Sequence, residues 1–141
     1  MSSLARTALR SYAVAVVVFL VVDLVWLTVV AKDLYDDQLG PLLADPVRPV
    51  PAVLFYGLFV AGLVHFVVLP AVERDSVRRA ILSGAFFGLV TYATWDLTSL
   101  SVIDGFPAAL VPIDLAWGAV LSATVSGVTT ALVRRSAQTP T

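Results

Sequence analysis

Four apolar runs of roughly twenty residues each, separated by short polar stretches, constrain this chain most. That length is what one α-helix needs to cross the hydrocarbon of a bilayer. Residues 11–31 carry one charged side chain, Asp23, and residues 51–70 carry none, though His65 lies among them. Residues 80–102 carry only Asp96, and residues 108–133 only Asp114. Backbone polar groups find no water at that depth, so segments of this kind close their hydrogen bonds internally as helices. The chain of 141 residues is 59% hydrophobic and 13% charged, against roughly 45–50% and 25% for soluble domains, and this removes the soluble classes. The sequence predicts an all-α, polytopic membrane protein, a four-transmembrane-helix bundle forming a single domain over residues 1–141.

The connecting stretches support these limits. Arg6 and Arg10 before an apolar run have the look of a signal peptide, but such a core spans about 7–15 residues. This run is longer and carries Asp23, so the reading is a retained first helix. Residues 32–50 read as a loop with Asp33, Asp36, Asp37, Asp45 and Gly40, and with prolines at 41, 46 and 49. Pro51 suits the first turn of the second helix, where its missing N–H costs nothing. Pro70 followed by Glu73-Arg74-Asp75 is expected to end that helix, and Asp104-Gly105 marks a tight turn before the fourth. The polar tail to Thr141 is expected to fray.

Ala80, Gly84 and Gly88 are spaced by four, so one face of the third helix lets another backbone approach closely. Gly118, Ser122 and Ser126 repeat the spacing on the fourth helix. Lysine and arginine counts set the orientation. Cytoplasmic termini and a cytoplasmic second loop place Arg6, Arg10, Arg74, Arg78, Arg79, Arg134 and Arg135 inside, and leave Lys32 and Arg48 outside. Seven against two is a firm positive-inside bias. A net charge of −1 with no basic stripe gives no footing for a nucleic-acid partner. The chain has no cysteine, which excludes disulfides, thiolate nucleophiles and cysteine-based metal sites.

Carboxylates inside spanning helices are costly and usually mark functional sites. Counted from the outer loops, Asp23, Asp96 and Asp114 fall at one depth, about 10–14 Å down. They are candidate proton carriers, with Asp96 the first choice. Tyr92, Trp95, Asp96 and Ser99 follow helical spacing and are expected to share one side. Trp26 and Trp117 each stand three residues after an aspartate, one turn away on the same helix. Trp26, Tyr56, Tyr92, Trp95, Thr98 and Trp117 are the candidate ligand-binding residues. The alternative is structural: buried aspartates bonded to Trp, Tyr and Thr hold helices together at about 0.6–2 kcal/mol per bond. Three aspartates can in principle hold a hard cation through oxygen ligands. No HxxxH or ExxH pattern occurs, and the expectation is no metal and no cofactor. His65 reads as a helix–helix hydrogen bonder more than a catalyst, and Arg74, Arg78 and Arg79 as topology determinants.

The motifs together resemble an uncharacterised bacterial integral-membrane family, the domain of unknown function numbered twenty-one seventy-seven. The resemblance rests on Asp23-Leu24-Val25-Trp26, Tyr35 with Gln38-Leu39-Gly40, Phe55-Tyr56, Leu69-Pro70-Ala71, the stretch from Gly88 to Thr98, and Asp114-Leu115-Ala116-Trp117-Gly118. It covers nearly the whole chain, and Trp95 stands where the family commonly carries tyrosine. It implies a four-helix protein of the bacterial inner membrane and supplies no activity or catalytic residues. Three functions follow from the residues themselves. The first is a pocket for a lipid-like or other apolar small molecule, with acid–base chemistry such as isomerisation as its extension. The second is a homodimeric transporter of protons or a small cation, assembled through the Ala80/Gly84/Gly88 face. The third is an accessory subunit of a larger membrane complex. Membrane lipids are partners in each.

Overall fold

The computed structural model describes residues 3–44 and 46–137; the side chains of Pro41, Ser136 and Ala137, Asp45 of the first loop, and the expected fraying of the tail from residue 138 lie outside that description. Helix α1 covers Ser3–Val25 and runs on through a π-helical turn, Trp26–Val30, to a total span of Ser3–Val30. It begins well before residue 11, because Leu4, Ala5, Arg6, Ala8, Leu9 and Arg10 are strong helix formers whose charges sit at the helix end. The expected loop contains a helix of its own, α2 (Lys32–Leu39), with Asp33 in its first turn, where a negative charge meets the helix dipole favourably.

Helix α3 spans Pro49–Glu73 and does not stop at Pro70. Proline removes one backbone donor and crowds the carbonyl four residues earlier, which normally breaks or kinks a helix. Here the turn before it, Val64–Val68, opens to a π-helical register, with the Leu69 N–H bonding to the Val64 carbonyl. Widening one turn in this way accommodates the disturbance, and Leu69–Glu73 continue the helix.

Helix α4 (Val77–Val102) begins with a side-chain cap: the Ser76 hydroxyl accepts the Arg79 N–H at 3.2 Å. It leads through a turn closed by the Phe106 N–H on the Ile103 carbonyl at 3.2 Å, in which Gly105 takes φ +77°. Helix α5 (Leu110–Ala137) returns beside it, with Pro112 in the first turn where proline is tolerated. Four helices are long and apolar enough to cross a membrane. The protein is an all-α, multi-pass membrane bundle.

Antiparallel packing brings the end of α1, all of α2, the start of α3, the end of α4 and the start of α5 to one end of the bundle. At the opposite end Arg134 of α5 reaches the Asp75 carboxylate at 3.2 Å, an exposed pair of modest weight. The core lies between α1, α3 and α5, built from Ala15, Phe19, Phe59, Val60, Leu63, Val64, Leu121 and Val125. Large apolar side chains such as Leu58 and Val102 are exposed on the outside, as a lipid-facing surface requires. Lipid tails are as apolar as leucine, so close packing and hydrogen bonds hold such helices together.

The closest contact is α4 on α5. A Cβ on Gly88 would stand 1.9 Å from the Gly118 carbonyl oxygen, and one on Gly84 would stand 2.6 Å from that of Ser122. Two backbones approach this near only where side chains are absent. The Ala80/Gly84/Gly88 face is therefore buried inside the protomer. That corrects only the expectation that this face is the one joining two copies: α5 of the same chain already occupies it.

Candidate functional site

The α4–α5 contact places the first element of the site. Because Gly118 has no side chain, the Tyr92 ring packs directly over it; an added Cβ would lie 2.4 Å from the ring. One face of α4, carrying Thr91, Tyr92 and Trp95, then turns towards α1 and α3. Helix α3 leaves room there. Its first half, Pro49–Leu63, packs chiefly on α1, through Phe19 against Tyr56 at 5.2 Å and the Tyr12 hydroxyl on the Gly57 carbonyl at 3.2 Å. Further along, Phe59 and Phe87 meet at 5.6 Å and close the gap between α3 and α4. Above that closure lies a cavity of about 390 Å³.

Asp23 is the carboxylate on the cavity wall and is only 6% exposed. Trp26, Tyr56, Tyr92, Trp95 and Trp117 also line it, five of the six residues expected to bind a ligand. Tyr35, Phe55, Leu27, Ala52 and Thr91 complete the wall. Trp26 and Trp117 stack face to face across α1 and α5, with ring centroids 4.2 Å apart and planes 7° from parallel. Trp95 is 63% exposed and stands at the rim, edge-on to Phe106, so it does not share the buried side taken by Asp96 and Ser99.

The tryptophans do not simply serve the aspartates of their own helices. The Trp117 indole of α5 stands beside Asp23 of α1, along with the Tyr56 hydroxyl, although Trp117 Nε1 completes no hydrogen bond. Trp26 Nε1 donates to the Tyr35 hydroxyl at 3.3 Å, and that hydroxyl donates to Asp114 Oδ1 at 2.6 Å. Tyr35 on α2 thus bridges α1 to α5. Burial, and then the bond to Asp114, raise the Tyr35 phenol above its ordinary value, so it stays a donor. Sequence reasoning named Tyr35 only among the residues of the family resemblance and missed this role, which depends on where α2 docks.

Asp114 is 7% exposed and is reached through Tyr35. Asp96 is fully buried, within electrostatic range of Asp114, and among the described residues neither of its carboxyl oxygens has a hydrogen-bond partner. Asp96 does not line the cavity, because the register that presents Thr91, Tyr92 and Trp95 turns it towards the interior of the bundle. The three aspartates therefore lie towards one end of the bundle, Asp23 at the cavity, Asp114 bonded to Tyr35, and Asp96 within electrostatic range of Asp114. Among the described residues no three His, Asp or Glu side chains gather as metal ligands would.

Two expected residues fall elsewhere. Thr98 is exposed and bonds its hydroxyl back to the carbonyls of Thr94 and Trp95 on its own helix, which removes it from the cavity wall. His65 sits on the outer side of the π-helical turn of α3, its ring edge-on to Phe66 at 4.7 Å, and so does not bridge helices. The π register there rotates His65 away from the other spans.

A family model described as a predicted membrane protein (DUF2177) matches residues 8–131, nearly the whole chain. The chain belongs to the DUF2177 family. That span contains every residue of the cavity wall, so the site lies within the part of the chain the DUF2177 model describes. No curated protein and no solved structure matches the chain.

Proposed function

We propose that this DUF2177 member binds a lipid-like or other apolar small molecule in the cavity between α1, α3 and α4. Asp23 reads the ligand's polar group while the aromatic rings enclose its apolar body. The observation that carries the reading is the wall itself: one buried carboxylate set in an otherwise apolar, strongly aromatic enclosure. Small-molecule sites commonly combine a few placed polar groups with an apolar lining in this way. Access follows from packing, since α3 separates from α4 above Phe59 and Phe87 and leaves Phe55 and Trp95 exposed at the edge. A ligand dissolved in the membrane can enter sideways there. The arginine distribution supports cytoplasmic termini, with the cavity in the outer half of a bacterial inner membrane.

Any proton transfer to a bound ligand falls to Asp23, the carboxylate that reaches the cavity, with Asp114 and Asp96 behind it. Native mass spectrometry of protein extracted gently with its own membrane lipids tests the binding, wild type beside Asp23→Asn. The expected result is a small molecule retained by the first and lost from the second. An identical set of bound species on both proteins overturns the reading.

A further inference from the structure

Most of the cavity wall is aromatic, and its one charge is negative. Trp26, Trp117, Tyr56, Tyr92 and Trp95 supply ring surface, and Asp23 supplies the carboxylate. Among the described residues no lysine, arginine or histidine lines it. An aromatic ring carries a negative potential over its face, and tryptophan carries the strongest. Ring faces and carboxylate therefore attract the same kind of ligand.

A bare metal ion does not fit this wall. Hard cations require six or more oxygen ligands, or several retained waters, and rings cannot supply them. An anion, a phosphate-bearing headgroup included, meets repulsion from Asp23. A cation with an apolar coat suits every part of the wall, because its methyl groups lie against rings while its charge stays near the carboxylate. Aromatic cages recognise quaternary ammonium groups on this principle. The volume, about 390 Å³, lies at the small end of ligand pockets and suits a compact head with a short tail.

We infer that the polar group read by the cavity is an alkylated ammonium, held between Asp23 and the faces of the surrounding rings. This rests on the proposed binding function and specifies the ligand's chemical class. A membrane amphiphile and a free solute can each carry such a head, and the recognition chemistry is the same.

All three tryptophans of the chain line the cavity, so intrinsic fluorescence reports its occupancy. The test titrates wild-type protein in lipid nanodiscs with choline and with 3,3-dimethylbutan-1-ol, which replaces the nitrogen by carbon at nearly the same shape. Choline is expected to bind about tenfold tighter or more, as a desolvated cation–π and ion-pair contact would give. Asp23→Asn is expected to cut the preference to about two- to fivefold, the size of a residual ring contribution. Equal binding of the two probes by wild type overturns the inference without needing any variant to fold. A preference that Asp23→Asn leaves undiminished overturns the role of Asp23. Hexyltrimethylammonium separates the sources: tighter binding than choline identifies an amphiphile, weaker binding a free solute, and both uphold the cation. If the alcohol binds as well as choline, the apolar pocket stands and only the cation falls. If neither probe binds and the native protein carries no small molecule, both readings fall.

Discussion

At Asp96 the local chemistry is unfavourable in a way that few single residues show. Its side chain is fully buried, both carboxyl oxygens lack a hydrogen-bond partner among the described residues, and Asp114 lies within electrostatic range. A buried polar group without a partner costs about 1–3 kcal/mol. Asp96→Leu keeps nearly the same shape and removes both unpaired oxygens. It is expected to raise the thermal unfolding midpoint in detergent, by a stability gain of about 1–3 kcal/mol. A lowered midpoint would show that Asp96 contributes to the fold after all. Tyr35 is the opposite case, since its one hydroxyl satisfies Asp114 and accepts from Trp26 together.

Elements decide how these residues meet. The α4–α5 pair is set by glycines, and their tolerance of a methyl group should differ sharply with position. Gly88→Ala would drive a Cβ to 1.9 Å from a backbone carbonyl, which neither helix can relieve without separating. Gly57→Ala meets only the Tyr12 hydroxyl at 3.6 Å, an ordinary contact, and alanine favours a helix by up to about 1 kcal/mol over glycine. The expected outcome is loss of monodisperse protein for Gly88→Ala and an unchanged or raised midpoint for Gly57→Ala, read by size-exclusion chromatography and thermal unfolding. Equal behaviour of the two would mean that the α4–α5 approach is looser than described. Separation of these helices also moves Tyr92 off Gly118 and so deforms the cavity wall.

Over the whole molecule, charge and shape divide between the two ends. One end carries seven of the nine basic residues, and the other carries Lys32, Arg48, the three buried aspartates and the cavity. Only charge near the spans biases insertion, so both termini are expected on the cytoplasmic side. Reporter fusions active only in the cytoplasm should be active at both the N- and the C-terminus and inactive when inserted after Leu39. Activity in the loop would invert the bundle and place the cavity in the inner leaflet.

Length and periodicity in the chain were enough to determine four spans and their approximate limits, because a bilayer demands about twenty apolar residues per crossing. Asp23, Asp96 and Asp114 were legible as well, since charge inside such a run is rare enough to stand out. Helix rotation was not legible. Whether Asp96 or Thr91 faces the cavity depends on which glycine of α4 meets which glycine of α5, and that is a contact between distant segments. The role of Tyr35 was hidden for the same reason, because a residue in a polar loop becomes part of a buried site only when α2 docks against α1 and α5. Pro70 looked like a helix end because local rules treat proline as a breaker, and an opened turn before it let α3 continue. Residue types are carried by the sequence; which of them share one enclosure is decided by packing between helices far apart in the chain.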